Sequence, residues 1–91
     1  FFSEYHSNFE AGDGYADIAF TDTFSEKAAI IEIKTTTVVS DLIDLSQEAV
    51  EQIEEKHYAD PFKANKMVQS IYAYGIAFAG KNCFITCKKL K

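Results

Sequence analysis

A change in hydrophobic period constrains this chain most, because one helical segment stands between two pairs of strand-like runs. Between Asp41 and Tyr58 the apolar residues recur at helical spacing, while glutamates occupy the opposite side. The runs before and after this segment are short, apolar and bounded by turn-forming residues, which is typical of strands. The order strand, strand, helix, strand, strand indicates an α/β domain with a mixed sheet.

The bounds of these elements follow from the residues that flank them. The helix is expected to stop at Asp60–Pro61, because proline disfavours helical geometry in the residue before it. A turn at Gly80–Lys81 separates the last two strands, and a short link makes the first two strands antiparallel neighbours. The predicted strands are Tyr15–Asp22, Ala28–Thr36, Met67–Ala79 and Asn82–Cys87.

Length and composition favour a single globular domain spanning residues 1–91. Hydrophobic residues make up 47% of the chain and charged residues 25%, which argues against a disordered protein. The longest apolar stretch, Ile71–Ala79, falls well short of the ~18 residues that a membrane span needs. Glu4 and His6 stand where a secretory signal would be basic and apolar, so we expect a cytoplasmic protein without membrane contact.

The charges are divided unequally along the chain. Residues 1–55 hold two lysines against thirteen acidic residues, whereas residues 56–91 hold seven lysines against one acidic residue. An acidic half suits cation binding and a basic half could face a polyanion, although a solvated helix and a solubilising lysine tail give the same pattern. The chain has no arginine, which excludes the bidentate guanine contact of sequence-specific DNA binding. Any nucleic acid would therefore be bound by its backbone.

The two cysteines, Cys83 and Cys87, lie in the last predicted strand. Their Cα atoms would be about 13 Å apart at a rise of about 3.3 Å per residue. A disulfide needs less than about 7 Å, so they cannot pair with each other. No zinc-binding spacing arises with His6 or His57. We expect both cysteines to be small buried residues in a reducing compartment.

Three charged residues lie inside strands that should be buried. Alternation places Glu32 and Lys34 on one face of their strand, and Asp17 stands between apolar residues on the neighbouring strand. Burying an unpaired carboxylate costs several kcal/mol, so such groups are normally paired or bound to a metal. Two carboxylates about 5 Å apart repel unless a cation lies between them, and an all-oxygen site suits Mg²⁺ or Mn²⁺. A structural ion pair with Lys34 explains the same spacing but leaves one carboxylate in excess.

Several motifs in the right order resemble the PD-(D/E)XK nuclease superfamily. They are Asp17, the Glu32-Ile33-Lys34 strand, and Gln52 followed by Tyr58. Taken alone, Gln52 is a residue at the border of the apolar stripe that could face the sheet or be an ordinary boundary residue. More narrowly, the chain looks like the nuclease-like domain at the C-terminus of bacterial AAA-ATPase-like proteins. The matching segments are Ser7–Ile18, Ile30–Lys34, Glu48–Ala59 and Tyr74–Lys81.

This resemblance implies a restriction-endonuclease-like fold, a mixed central sheet flanked by helices. Two departures stand out. Tyr15 replaces the arginine that the family usually has. Glu4-Tyr5-His6 looks like the first-helix motif, but the family normally has about twenty residues between it and the segment that starts at Ser7. We therefore expect a first helix that is shortened or unseen near residues 6–7. Such a domain would expose apolar surface through which two copies could pair.

The resemblance also implies the chemistry. Asp17, Glu32 and the backbone carbonyl of Ile33 would bind Mg²⁺ or Mn²⁺. Lys34 would orient or deprotonate the attacking water and stabilise phosphate charge, and Gln52 would position Lys34 or the water. A further carboxylate would come from Glu10 or Glu4, and Tyr58 would be a packing residue. Lysines of the C-terminal half are the candidate nucleic-acid backbone contacts, namely Lys63, Lys66 and Lys81, together with Lys88, Lys89 and Lys91.

The expected function is Mg²⁺-dependent hydrolysis of nucleic acid, with DNA as the substrate and little sequence preference. The alternative is an inactive nuclease-like fold that binds nucleic acid or docks onto an ATPase-like partner domain, because fold alone does not fix function. In a third interpretation the three charged residues form a structural ion pair in an ordinary interaction domain.

Overall fold

A computed structural model describes the backbone of residues 4–11, 14–22 and 26–91, and the side chains of residues 17–21 and 26–91. In these ranges the chain forms a five-stranded sheet whose strands stand in chain order. Neighbouring strands are antiparallel except the third and fourth, which are parallel, so the predicted mixed sheet is confirmed. The strands are β1 (Glu4–Ala11), β2 (Gly14–Asp22), β3 (Lys27–Thr35), β4 (Ser70–Ala79) and β5 (Asn82–Lys89).

The parallel step from β3 to β4 is made by the predicted helical segment. A 3-10 turn at Val39–Asp41 leads into α1 (Leu42–Glu55), and a four-residue helix, α2 (Asp60–Lys63), follows. The prediction that the helix continues to Tyr58 is wrong. His57 adopts a left-handed φ of 57°, and the N–H groups of His57 and Tyr58 bond back to the carbonyls of Glu54 and Ile53. This Schellman-type arrangement ends α1 before the proline.

Pro61 lies in the first turn of a new helix instead of stopping one. It stands in the first turn of α2, where its missing N–H would have no partner in the helix and its fixed φ is suitable. β4 then starts at Ser70, three residues later than the predicted start at Met67. The turn at Gly80–Lys81 and the last strand lie where the sequence predicts them.

β1 was not predicted. Residues 4–11 form a strand that pairs antiparallel with β2, from Glu4 opposite Thr21 to Ala11 opposite Gly14. The interpretation of Glu4-Tyr5-His6 as part of a helix is therefore wrong, because the backbone there belongs to the β1–β2 ladder. The predicted shortening of a first helix near residues 6–7 stays a prediction.

The main core lies between α1 and one face of the sheet. Ile30 of β3 and Ile71 of β4 are fully buried beneath Ile53 of α1, and Tyr58 is buried in the same cluster, as expected of a packing residue. Phe62 of α2 joins this cluster, so both helices of the described chain lie on the same side of the sheet. We call this side the helix-covered face.

The prediction that Cys83 and Cys87 are buried is wrong, because both are exposed free thiols. They lie on β5, an edge strand of the sheet. Alternation turns them away from Thr86, whose hydroxyl contacts α1, and thus away from the helix-covered face. In the part of the chain that the structure describes, no helix has the length and hydropathy needed to cross a membrane.

Candidate active site

Asp17 and Glu32 lie opposite each other on neighbouring strands. The β2–β3 register pairs Ala19 with Ile30, both of which are buried under α1. Asp17 comes two residues before Ala19 and Glu32 two residues after Ile30, so both carboxylates share that face. Asp17 Oδ2 accepts a hydrogen bond of 2.8 Å from the backbone N–H of Ile33, so one carboxylate is fixed against the strand that carries the other.

Glu32 is the buried carboxylate of the site. Its residue is only 5% exposed, and its Oε1 atom has no hydrogen-bond partner among the described residues. Burial raises the pKa of Glu32 above the ordinary value of 4.5, and the Asp17 carboxylate raises it further. A hydrogen bond from the Asp17 backbone N–H and the charge of the Lys34 ammonium both lower the pKa of Glu32. A buried carboxylate oxygen without a partner costs free energy unless a proton or a cation satisfies it.

Lys34 lies two residues beyond Glu32 on the same face and reaches across to α1. Its Nζ atom donates a short hydrogen bond to Oε1 of Gln52. Of the two alternatives for Gln52, this contact supports the one in which its side chain faces the sheet. Among the described side chains Lys34 makes no ion pair within 4.0 Å with Asp17 or Glu32, so the proposed structural ion pair is not formed by direct contact.

The position of Gln52 depends on how closely α1 approaches the sheet. A Cβ atom at Gly75 would lie 2.0 Å from the backbone carbonyl oxygen of Ser46 and 2.9 Å from Cβ of Ala49. Only glycine permits this approach, and Gly75 is the β4 partner of Glu32. The Ser46 and Thr86 hydroxyls are hydrogen-bonded at 2.6 Å, which ties the same turn of α1 to β5.

A family model of the PD-(D/E)XK nuclease superfamily matches residues 2–88. The chain belongs to this superfamily. The restriction-endonuclease-like α/β fold that the resemblance implied is confirmed with it, and membership indicates nuclease activity in general. No curated protein and no solved structure matches the chain significantly. The narrower resemblance to the ATPase-associated branch stays a prediction.

Superfamily nucleases generally use divalent metals, and the acidic residues found here fit such an ion. The unpartnered Glu32 oxygen beside a second carboxylate supplies the anionic oxygen ligands that Mg²⁺ and Mn²⁺ prefer. In the described residues no group of three or more His, Cys, Asp and Glu side chains comes together, so Asp17 and Glu32 are the acidic pair of the site.

The other predicted acids lie on β1. Glu10 is the β1 partner of Tyr15, two residues from Asp17, whereas Glu4 pairs with Thr21 towards the far end of β2. Along the ladder Glu10 is thus the nearer of the two to the site. The side chains of Glu4 and Glu10 lie outside the described residues, so their part in the site stays a prediction.

An acidic cavity opens beside the Lys34–Gln52 pair. It has a volume of about 470 Å³, and Glu48, Glu51 and Glu55 on its α1 wall outnumber its two lysines, Lys34 and Lys56. A phosphate chain would be repelled by this wall. We therefore expect nucleic acid to approach the carboxylate pair from elsewhere.

The predicted backbone-binding lysines are divided between two ends of the sheet. Lys81 follows the end of β4, near the end of β3 that carries Lys34, whereas Lys63 and Lys66 precede the start of β4. Ten residues of strand separate these ends, which is about 30 Å. A contact with all three lysines therefore needs a long stretch of backbone. At the distant end lie also Lys88, Lys89 and Lys91.

Sequence reasoning missed the residues that seat α1. Ser46, Thr86 and Gly75 received no role, although all three determine where Gln52 lies relative to Lys34. One signal was present, since a glycine inside an apolar strand often marks a close approach of another backbone. The Ser46–Thr86 hydrogen bond joins residues 40 positions apart, and the local sequence around neither residue predicts it.

Proposed function

We propose that this domain hydrolyses phosphodiester bonds of nucleic acid with a divalent cation, Mg²⁺ or Mn²⁺, held by Asp17 and Glu32. DNA is the proposed substrate, cut with little sequence preference. The observation that carries the proposal is the buried, unpartnered Oε1 of Glu32, which lies on one sheet face with a second carboxylate and a lysine.

The backbone of Ile33 supports a third oxygen ligand. In a β-ladder the N–H and C=O groups of one residue face the same neighbouring strand. Because the Ile33 N–H donates to Asp17, the Ile33 carbonyl faces the β2 side as well. It is thereby turned towards the carboxylate pair, which supports the expected ligand set of Asp17, Glu32 and Ile33.

Each side chain then has a defined task. A bound divalent cation supplies an activated water at neutral pH and neutralises charge on the phosphate. Lys34 lies on the same face as Glu32, where its ammonium orients the attacking water and stabilises phosphate charge; to take a proton from that water, Lys34 must first be in its neutral amine form. Gln52 accepts a hydrogen bond from the Lys34 ammonium and holds it at the site.

A low sequence preference follows from the hydrogen-bond donors that the side chains of this sequence offer to nucleic acid. Without arginine, the chain lacks the side chain that reads guanine in a bidentate manner. Lysines contact phosphates as point charges, so the contacts proposed for Lys63, Lys66 and Lys81 carry little sequence information.

The direct test is cleavage of supercoiled plasmid, single-stranded DNA and RNA in the presence of Mg²⁺, Mn²⁺ or a chelator. Wild type is compared with Glu32→Gln, Lys34→Met and a control, Glu51→Gln, which changes an exposed acid on the cavity wall. We expect metal-dependent cleavage of DNA by wild type and control, and loss in both site variants. Equal cleavage by wild type, Glu32→Gln and Lys34→Met would refute the assignment.

A second candidate function is favoured by the acidic wall of Glu48, Glu51 and Glu55. This wall opposes unaided binding of a polyanion next to Lys34, as expected of an inactive nuclease-like fold that docks onto an ATPase-like partner domain. Calorimetric titration of the domain with Mn²⁺ distinguishes the nuclease from the docking module. Heat of binding that disappears in Glu32→Gln supports the nuclease, whereas an absence of heat supports the docking module.

A further inference from the structure

The side of the sheet away from α1 and α2 is an apolar surface, which we call the open face. In the described residues both helices join the core on the other side. Among the large apolar residues of the open face, Ile33 and Phe78 are each 39% exposed and Ile85 is 53% exposed. Among the described side chains from β2 to β5, its apolar and cysteine members are Ile18, Phe20, Ala29, Ile31, Ile33, Tyr72, Tyr74, Ile76, Phe78, Cys83, Ile85 and Cys87.

The charges on the open face are few and lie together. Strands β3 to β5 place two charged residues on it, Lys27 and Lys89, and no acidic residue. Lys27 stands at the start of β3 opposite Ser70, and Lys89 stands at the end of β5 opposite Tyr72. Both lysines are therefore at one end of the sheet, where Asp22 of β2 stands opposite Lys27, and the rest of the face on β3 to β5 is uncharged.

We propose that two copies of this chain pair through their open faces. With strands about 4.8 Å apart and a rise of about 3.3 Å per residue, the face of β2–β5 covers about 550 Å², and β1 brings it to about 700 Å². Two such faces bury about 1,100–1,400 Å², which exceeds the ~1,000 Å² expected of a stable interface. A patch of this size is at or beyond the ~300–600 Å² that the largest patch on a typical monomer reaches.

The two lysines select the arrangement of the pair. A closed dimer uses the same surface on both copies, related by a two-fold axis. An axis in the interface plane and perpendicular to the strands places Lys27 and Lys89 of the two copies at opposite ends. An axis parallel to the strands would bring four ammonium groups together at one end. The dimer is therefore a face-to-face pair of sheets about 10 Å apart with antiparallel strand directions.

β5 supplies a matched pair of variants for the test. Ile85 lies on the open face and Phe84, its neighbour, lies on the helix-covered face, and the two are 53% and 40% exposed. Sedimentation velocity over about a hundredfold range of protein concentration measures self-association. We expect wild type and Phe84→Lys to be dimers, and Ile85→Lys to dissociate with a Kd raised at least about tenfold.

One further measurement and one further variant keep the result interpretable. Circular dichroism establishes that each variant folds, and if Ile85→Lys does not, Ile33→Lys tests the same face on another strand. Wild type that stays monomeric at every concentration would overturn the proposal and indicate that another segment or protein covers the face. Equal loss of the dimer in Phe84→Lys and Ile85→Lys would also overturn it, because pairing would then use the edge of β5.

Discussion

Gly75 of β4 lies directly beneath Ser46 of α1, so closely that a Cβ atom at position 75 would come within 2.0 Å of the Ser46 carbonyl oxygen. The obstacle is backbone, which cannot move aside as a flexible side chain can. Since Gly75 also pairs with Glu32 across the β3–β4 ladder, the closest contact of the helix with the sheet adjoins the buried carboxylate.

We therefore predict that Gly75→Ala destabilises the domain and lowers its activity. The added methyl group forces α1 away from the sheet, at a cost of about 2–3 kcal/mol, and moves Gln52 away from Lys34. Gly80→Ala is the matched control, because a Cβ there meets nothing within 4 Å and only the φ of +60° is unfavourable. We expect that control to cost about 1 kcal/mol and to keep activity. Urea denaturation measures the stability of both variants, and plasmid cleavage measures their activity. Equal effects of the two substitutions would contradict the close approach of α1 to β4 at Gly75.

The raised pKa of Glu32 predicts a specific dependence of stability on pH. A carboxyl group whose pKa is higher in the folded state than in the unfolded state stabilises the fold while protonated. Its contribution is fully present below the unfolded value, near 4.5, and is lost as pH rises through the raised folded value. We expect the free energy of unfolding of wild type to fall in this window relative to Glu32→Gln in metal-free buffer. Denaturation curves at successive pH values measure the difference, and a constant difference would contradict the burial of Glu32.

Metal binding should reverse this loss of stability. A ligand that binds only the folded state adds about 2.7 kcal/mol at a concentration of 100 times its Kd. We predict that Mn²⁺ raises the Tm of wild type and of the control Glu51→Gln, but leaves that of Glu32→Gln unchanged. Differential scanning calorimetry measures this without reference to catalysis. A Tm shift of equal size in all three proteins would place the ion somewhere else.

Lys34 and Gln52 should behave as one unit in kinetics. Lys34→Met removes the ammonium that we propose contacts the reacting atoms, and it is expected to lower kcat by about 10²–10⁴. Gln52→Ala acts through Lys34 and is expected to lower kcat by about tenfold with little change in KM. The double variant should be no slower than Lys34→Met, because residues that share a hydrogen bond are not additive. Multiplied losses in the double variant would show that Gln52 acts independently.

Sequence periodicity was sufficient for most of the sheet. Alternation placed Glu32 and Lys34 on one face and made Asp17 their neighbour, since these relationships depend only on strand pairing. The β1 strand was not predicted, because its residues mix acidic, amide and aromatic side chains and resemble a helix motif. The end of α1 was predicted at the wrong residue, because a left-handed His57, rather than the proline, terminates the helix.

Tertiary relationships were the part that periodicity could not supply. Alternation separates two faces of β5 but does not say which face a helix covers, so Cys83 and Cys87 were wrongly expected to be buried. The contact of Lys34 with Gln52 depends on the crossing angle and depth of α1. Those are fixed by Gly75 and by a hydroxyl pair far apart in the chain.

The parallel pairing of β3 with β4 has a consequence for how the chain folds. Every other pair of neighbouring strands in the described sheet is linked by only a few residues, so these strands can pair locally as hairpins. The β3–β4 junction closes a loop from Thr35 to Ser70, which contains α1 and α2. Loop closure of this length is slow compared with hairpin formation. The rate at which the β1–β2–β3 meander and the β4–β5 hairpin meet across the crossover should therefore limit refolding, and Glu32 and Gly75 would come together only at that step.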